Sequence, residues 1–381
     1  MKILLVNYEY KGQGGGAGQQ LYYMARAFRN LGHEVSLLIG WDYAFGEPEI
    51  LDGITTHVIK YKRKNIQLST AFGLLSFSIK GCLFINKLTR KFNYDVIQFY
   101  FSVPTGILKF GIHGKVPYVV SLRGMDIPGL QKNRYKGLSS ITANLNRNIT
   151  KNAAIVISNS NESASAYHKF SPNIAITVIP NSINFNSVQV KASYSNKISN
   201  IVSVGRLVSW KRHDLLIEAV AILHEKHPQI KLNIYGKGYQ EEYLQKLIID
   251  KKAEKFISLK GFVDRKFFSN NLHEYDLFAF MSTGDSCPNT IIEAMASGLP
   301  VVAAKAGGTI DLVLEGITGV FTTPNSLDDT VQQLEWCINN SEIMANHGIN
   351  GRQRVEDMYS TKKAAERHIE LYKEYCDGKR L

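Results

Sequence analysis

Short apolar runs alternate with longer amphipathic stretches along most of this chain, and the two periods together predict βαβ units. Runs at Ile3–Tyr8, Glu34–Ile39, Thr55–Ile59, Asp95–Tyr100, Pro117–Leu122, Ile155–Ser158 and Ala175–Ile179 have the length and apolar content of buried parallel strands. Between them, Gln19–Leu31, Leu68–Phe92 and Gly137–Lys151 carry helical spacing. Pro180-Asn181 closes this half, and the Ser- and Asn-rich stretch Ser182–Asn200 reads as a linker. The alternation restarts at Ile201–Val204 and continues through Lys231–Tyr235 and Phe256–Leu259. The expectation is two similar-sized α/β domains with largely parallel sheets, 1–184 and 201–360, with 185–200 as linker. The tail, 361–381, is helical in pattern over Thr361–Tyr375.

The stretch Asp276–Leu314 has the densest signal. It reads as strand Leu277–Met281, loop, helix, strand Val301–Ala304, tight turn and helix. Pro288 is tolerated in the first turn of the middle helix, and Gly298 with Pro300 stops it. Ile292, Met295, Ala296 and Leu299 give that helix a core face, while Asn289, Glu293 and Ser297 form another stripe. Asp285 falls in the loop at the carboxyl end of the preceding strand, the edge at which open α/β sheets bind ligands. The turn Ala306-Gly307-Gly308-Thr309 offers bare amides at a helix start, suited to an anion.

Composition changes little. With 381 residues, two domains are the default, and 44% hydrophobic with 20% charged residues is ordinary for a globular protein. Cys82, Cys287, Cys337 and Cys376 are scattered, which suggests a reducing compartment and no disulfide framework. The amino-terminal MKILLVNYEY reads as a first buried strand rather than a signal peptide, and no uninterrupted apolar run approaches the roughly 18 residues of a spanning helix. A cytoplasmic protein is expected. Charge is lopsided: residues 1–190 hold 21 Lys and Arg against 9 Asp and Glu, and residues 191–381 hold 24 of each. Within the basic half, Lys60-Tyr-Lys-Arg-Lys64 directly precedes the apolar segment Leu68–Ile85. Such a cluster beside an amphipathic helix suits an anionic lipid surface; the alternative is a core helix with solvated lysines.

Three further motifs carry chemistry. Gly12-Gln-Gly-Gly-Gly-Ala17 follows a strand and opens a helix, where glycines let a backbone approach a phosphate or sugar. Gly12-x-Gly14-x-x-Ala17 also fits the dinucleotide fingerprint, but the second strand lacks the acidic residue at the expected distance. Ser121-Leu-Arg-Gly-Met-Asp126 ends a strand; Arg123 stays protonated and can clamp an anion, or form a plain surface pair with Asp126. Val204-Gly-Arg-Leu-Val-Ser-Trp-Lys-Arg212 places Arg206 and Lys211 at a strand end, where two cations could neutralise a diphosphate. The ten histidines show no cluster and no D-x-D occurs, so no metal is expected.

With Asp285 preceding Glu293 in E-A-M-A-S-G-L-P-V-V, and with G-R-L-V-S-W-K upstream, the chain resembles the retaining glycosyltransferases of family four (glycosyl transferases group one). Asp285 stands where most of that family has Glu, and Gln98-Phe99-Tyr100 where many members have His-x-His. The resemblance implies a GT-B fold: two Rossmann-like domains whose parallel sheets face a central cleft, with the tail crossing back to the first domain. It also implies a metal-independent hexosyltransferase that uses a nucleotide sugar as substrate, UDP- or GDP-linked, and no cofactor. Arg206, Lys211 and Asp285 would be catalytic. Gly15, Gly16, Gly236, Val263, Asn289 and Glu293 would join them in holding the donor, and Arg123 and Asp126 would contact the acceptor. The implied partners are a glycan or lipid-linked acceptor of cell-surface polysaccharide or glycolipid synthesis, and not nucleic acid; the basic run, rather than the resemblance, adds a peripheral contact with an anionic membrane at the inner face as an expectation. An NAD-dependent oxidoreductase and a non-catalytic two-domain sugar-binding protein are the alternatives.

Overall fold

The computed structural model describes residues 1–66, 68–128 and 139–378. Its polypeptide divides into two compact units, 1–182 with 361–381, and 183–360.

The first unit is built on a seven-stranded sheet of β1 (Lys2–Asn7), β2 (Glu34–Trp41), β3 (Thr55–Lys60), β4 (Val96–Tyr100), β5 (Tyr118–Leu122), β6 (Ile155–Ser158) and β7 (Thr177–Val178), in the order β3-β2-β1-β4-β5-β6-β7. Every pairing is parallel, and central strands such as β1 and β4 are buried on both faces. That burial is why they read as continuous apolar runs. The order reverses between β1 and β4, so the crevice at their carboxyl ends is the natural ligand edge.

The helix expected over Leu68–Phe92 runs Ala71–Lys91, capped by the Thr70 hydroxyl accepting from the Gly73 amide at 3.0 Å. Its two sides differ. Phe77, Ile85 and Leu88 enter the core, while Phe72, Leu75, Ile79 and Leu83 face outward. By length and composition this helix could cross a membrane, yet its inner side is packed in the first unit. The helix expected over Gly137–Lys151 is seen as Ser139–Lys151, and 137–138 lie outside the described residues. The tail helix, Thr361–Cys376, packs on Gly16–Asn30: Phe28 sits edge-on to Tyr372, whose hydroxyl donates to the Gln98 side chain.

The second unit carries a six-stranded parallel sheet of β8 (Asn200–Val204), β9 (Lys231–Tyr235), β10 (Ile257–Leu259), β11 (Leu277–Phe280), β12 (Val301–Ala304) and β13 (Gly319–Thr322), in the order β10-β9-β8-β11-β12-β13. Its reversal lies between β8 and β11. The stretch read as a linker, 185–200, belongs to this unit. Its Lys191 amide donates to Ser297 O at 2.9 Å, and the Lys191 ammonium donates to Tyr275 O at 2.6 Å and pairs with Asp276. Ser and Asn are turn formers as well as linker residues, so composition alone does not separate the two uses.

Candidate active site

In the second unit the site grows from the two loops on either side of the sheet's reversal. β8 ends in Gly205-Arg206-Leu207, and a single turn over Ser209–Lys211 folds Lys211 back to the strand end. There its ammonium meets the carboxylate that leaves β11: Lys211 Nζ lies 2.8 Å from Asp285 Oδ2, with the two side chains 9% and 22% exposed. The same ammonium sits 4.7 Å from the centre of the Phe280 ring, and the Ser282 hydroxyl donates to Asp285 Oδ2. The two loops are also stitched by backbone, since the Thr283 amide donates to Trp210 O at 2.9 Å. Arg206 lies over the Trp210 ring, at 5.4 Å from its centre.

Burial alone would push the Asp285 carboxyl up. Lys211, Ser282 and Arg206 more than reverse that, so it sits below the ordinary carboxylate range and stays ionised at neutral pH. Neighbouring His213 behaves oppositely. Burial, and then the Lys211 charge, push it down to about 4, so it is neutral beside the pair.

Glycines bring the remaining loops in. A Cβ on Gly236 would fall 1.8 Å from Gly205 O, and one on Gly238 would fall 2.1 Å from Leu207 O. The Tyr235-Gly236-Lys237-Gly238 motif is therefore required for packing against the Arg206 loop, whatever else it holds. The Gly236 amide donates to Gly261 O at 2.8 Å, which ties in the Gly261-Phe262-Val263 loop, where Val263 is half-buried. Tyr239 stands largely exposed at the rim, its hydroxyl 2.9 Å from that of Ser209. That hydroxyl, then the Ser209 amide, hold the Tyr239 phenol below its ordinary range.

The helix between β11 and β12 runs Asn289–Ala296, with Pro288 just before its first turn. Every residue from Ile291 to Ala296 is buried, so the helix has no solvated stripe. Glu293 is only 8% exposed, which excludes its reading as a surface carboxylate; Asn289, one turn earlier, is half-buried. The turn after β12 docks on the Asp285 loop through the Gly308 amide, which donates to Asp285 O at 2.8 Å. Arg206, Lys211, Gly236, Val263 and Asp285 thus lie on the loops that follow β8 to β11, with Asn289 at the start and Glu293 in the body of the helix after β11. Sequence reasoning missed His213, Ser282 and Tyr239; for Ser282 the signal was its place at the strand end, three residues before the acid.

In the first unit, Gly15 caps the helix Gly16–Asn30, and both Gly15 and Gly16 are exposed. The Gly15 amide already holds an anion of its own chain: it donates to Glu9 Oε2 at 2.9 Å. Gly14, at φ +111°, has room only for hydrogen, because a Cβ would fall 2.5 Å from the Glu9 side chain. Arg123 lies over Tyr100, 4.5 Å from its ring centre, and donates to Asn181 at 2.7 Å. Asp126 is a buried loop brace. Its carboxylate accepts from the Ser102 amide at 2.7 Å, the Ser102 hydroxyl at 3.1 Å and the Arg123 amide at 2.9 Å, which leaves little of it to meet an acceptor. Burial nevertheless raises its pKa above the ordinary value.

Residues 14–187 match the family model described as Glycosyltransferase Family 4, and residues 189–354 match that of Glycosyl transferases group 1. The chain belongs to glycosyltransferase family four, with the GT-B fold.

An uncharacterized glycosyltransferase of Methanocaldococcus jannaschii is 24% identical over 98% of each chain. The poly(ribitol-phosphate) alpha-N-acetylglucosaminyltransferase of Staphylococcus aureus is 29% identical over 44% of this chain, a match that spans 34% of that relative's length. Sucrose-phosphate synthase from Thermosynechococcus elongatus superposes with a TM-score of 0.84 over 99% of this chain and 100% of that one, at 18% identity. The Anabaena protein HepE in complex with UDP-glucose superposes at 0.75 over 97% and 98%, at 23% identity. The last two likenesses bear on fold alone.

Proposed function

We propose that this glycosyltransferase is a retaining, metal-independent hexosyltransferase. It moves a sugar from a UDP- or GDP-linked donor to a glycan or lipid-linked acceptor in cell-surface polysaccharide or glycolipid synthesis. The observation that carries the reading is the buried Lys211–Asp285 pair, with Arg206 beside it, at the reversal of the second sheet. Breaking a glycosyl–phosphate bond puts negative charge on the departing diphosphate, and preorganised cations in a shielded site stabilise that charge without a metal. Lys211 and Arg206 supply them. Asp285, oriented by Ser282 and Lys211, holds the donor sugar, and Glu293 accepts from the ribose hydroxyls. The acceptor oxygen bonds to the anomeric carbon on the face that the diphosphate leaves, and its proton passes to a diphosphate oxygen. No protein nucleophile is assigned. The S. aureus relative's transfer to poly(ribitol-phosphate) supports an anionic acceptor.

Incubation with a panel of nucleotide sugars and cell-envelope extract tests this, read as nucleoside diphosphate release and, by NMR, the anomeric configuration of the product. Release from UDP- or GDP-sugars with retained configuration is expected; inversion would remove the same-face mechanism.

The division of labour between the acids gives a sharper expectation. Glu293→Gln keeps shape but loses a charge-assisted acceptor, so affinity for the bare nucleotide should fall by roughly 1–3 kcal/mol. Asp285→Asn should lower sugar transfer while leaving nucleotide affinity near wild type. Calorimetry with the nucleotide and turnover with the sugar donor separate the two, and equal loss of nucleotide affinity in both variants contradicts the assignment.

The first unit, in this reading, docks on the inner face of the membrane. The outer side of Ala71–Lys91 presents Phe72 at 80% and Leu83 at 72% exposure, together with Leu75 and Ile79. Lys60, Lys62, Lys64, Lys80 and Lys87 are exposed around it, and the helix contains no acidic residue. An apolar stripe edged by lysines matches an anionic lipid surface, at about 1 kcal/mol per nearby cation. Co-sedimentation with anionic but not neutral liposomes is expected, lost at high salt and weakened by neutralising Lys60, Lys62, Lys64 and Lys80. Protein left in the supernatant at low salt would point to a soluble acceptor. Arg63, which the sequence groups with these lysines, is buried and does not belong to that surface.

A further inference from the structure

Lys211 reaches Asp285 because the single turn Ser209–Lys211 folds it back to the strand end, and that turn starts without a cap of its own. Val208 holds its N-cap position, and a valine side chain has no atom to accept from the turn's first amides. Inside it, the Lys211 amide donates to Val208 O at 3.0 Å and the Arg212 amide to Ser209 O at 3.2 Å. The turn then ends on Arg212 at φ +52°, a left-handed conformation that is strained for a residue with a Cβ. A segment this short and strained keeps its shape through what holds it from outside.

Two neighbouring loops do so. On one side, the Thr283 amide of the loop after β11 donates to Trp210 O at 2.9 Å. On the other, the loop after β9 supplies the missing cap. The Ser209 amide donates to the Tyr239 hydroxyl oxygen at 3.1 Å, and the Ser209 hydroxyl lies 2.9 Å from the same oxygen. Backbone contacts deliver Tyr239 to that place. The Leu207 amide donates to Lys237 O and the Gln240 amide to Leu207 O, each at 3.1 Å, and a Cβ on Gly238 would fall 2.1 Å from Leu207 O.

The Tyr239 ring is 70% exposed, so the residue adds little to the core. A solvated surface tyrosine turns its hydroxyl to water. This one takes donors from another loop, and accepting hydrogen bonds favours the phenolate. The phenol sits below its ordinary range for that reason, with the Ser209 hydroxyl as the largest cause, then the Ser209 amide, and the Arg206 charge as a smaller one.

We propose that Tyr239 is a positioning residue: its phenol oxygen caps the Ser209–Lys211 turn from the neighbouring loop and thereby holds the Lys211 ammonium on Asp285, without touching the substrate. The consequence for turnover rests on the diphosphate reading of Lys211; the cap does not. Tyr239→Phe removes the accepting oxygen and keeps the ring.

A ¹³C NMR titration of the tyrosine ζ carbons of the full chain tests the cap, with Tyr239 assigned by its absence in Tyr239→Phe. Its phenol should titrate below the ordinary tyrosine range, and Ser209→Ala should move it up. A Tyr239 titration that Ser209→Ala leaves unchanged overturns the cap. A double-mutant cycle tests the consequence. Tyr239→Phe should lower kcat by about tenfold, with the donor KM within about twofold and the denaturation midpoint unchanged. In a Lys211→Ala background the same substitution should have no further effect on kcat. An equal loss in both backgrounds overturns positioning through Lys211, and so does a raised KM with unchanged kcat, which would mean that the ring meets the substrate itself. Wild-type kinetics in Tyr239→Phe would overturn the positioning role and leave a surface contact. Because the titration needs no turnover, a chain inactive with every nucleotide sugar would remove the diphosphate reading, and the kinetic role with it, but not the cap.

Discussion

Lys211→Ala should lower turnover by about 10²–10³-fold, the cost of removing one preorganised charge from a developing oxyanion. The structure adds a second consequence. Lys211 is the main partner that keeps Asp285 ionised against burial, so its loss leaves a carboxylate with only Ser282 and Arg206 to support it. The variant should lose stability as well as rate, and the Asp285 pKa should rise. Adding Asp285→Asn removes the stranded charge and should recover stability without recovering turnover. Arg206→Ala, which leaves the ion pair in place, should lose turnover to a similar extent with little change in stability. Denaturation midpoints and steady-state rates on the four proteins check this. Near wild-type turnover in both single variants would remove the diphosphate role from these cations.

Gly308→Ala should be nearly as damaging, although residue 308 contributes no functional side chain. A Cβ there would fall 1.7 Å from Ser286 O, a backbone atom next to Asp285, whose own carbonyl accepts from the Gly308 amide. The clash has no flexible side chain to absorb it, so the turn after β12 must part from the Asp285 loop. A stability loss of roughly 2–4 kcal/mol is expected, with turnover falling because Asp285 shifts away from Lys211. Gly316→Ala is the control. Gly308 has an ordinary φ of −72°, whereas Gly316 has φ +69° and open space where the Cβ would go, so at 316 only the backbone cost of about 1–2 kcal/mol applies. A loss at 308 no larger than that at 316 would mean that the close approach to Ser286 O is relieved without parting the two loops.

The parallel strands were legible because burial on both faces leaves runs such as Leu277–Phe280 and Val301–Ala304 with nothing polar to blur them. β13 was missed because Gly319–Thr322 is short and opens on a glycine that a strand pattern does not favour. The charged loops were legible for a different reason: Arg206, Lys211, Asp285 and Glu293 sit at fixed distances from strand ends, and spacing survives in sequence. What spacing could not reveal was neutralisation. Nothing in Gly12–Ala17 announces that Glu9, three residues upstream, fills the Gly15 amide, and that contact weakens the dinucleotide reading of the loop. Asp126 likewise looks like a ligand carboxylate until its three donors are seen. Arg63 was hidden by its neighbours, since in a run of lysines an inward-facing arginine has the same one-dimensional signature as a solvated one.

Calorimetric titration with UDP, GDP, ADP and NAD, on the wild-type chain and on Lys211→Ala, tests the central claim most directly. Saturable binding of UDP or GDP, weakened in the variant, with no heat from NAD, is the predicted result. Binding of NAD with rejection of every nucleoside diphosphate would contradict it.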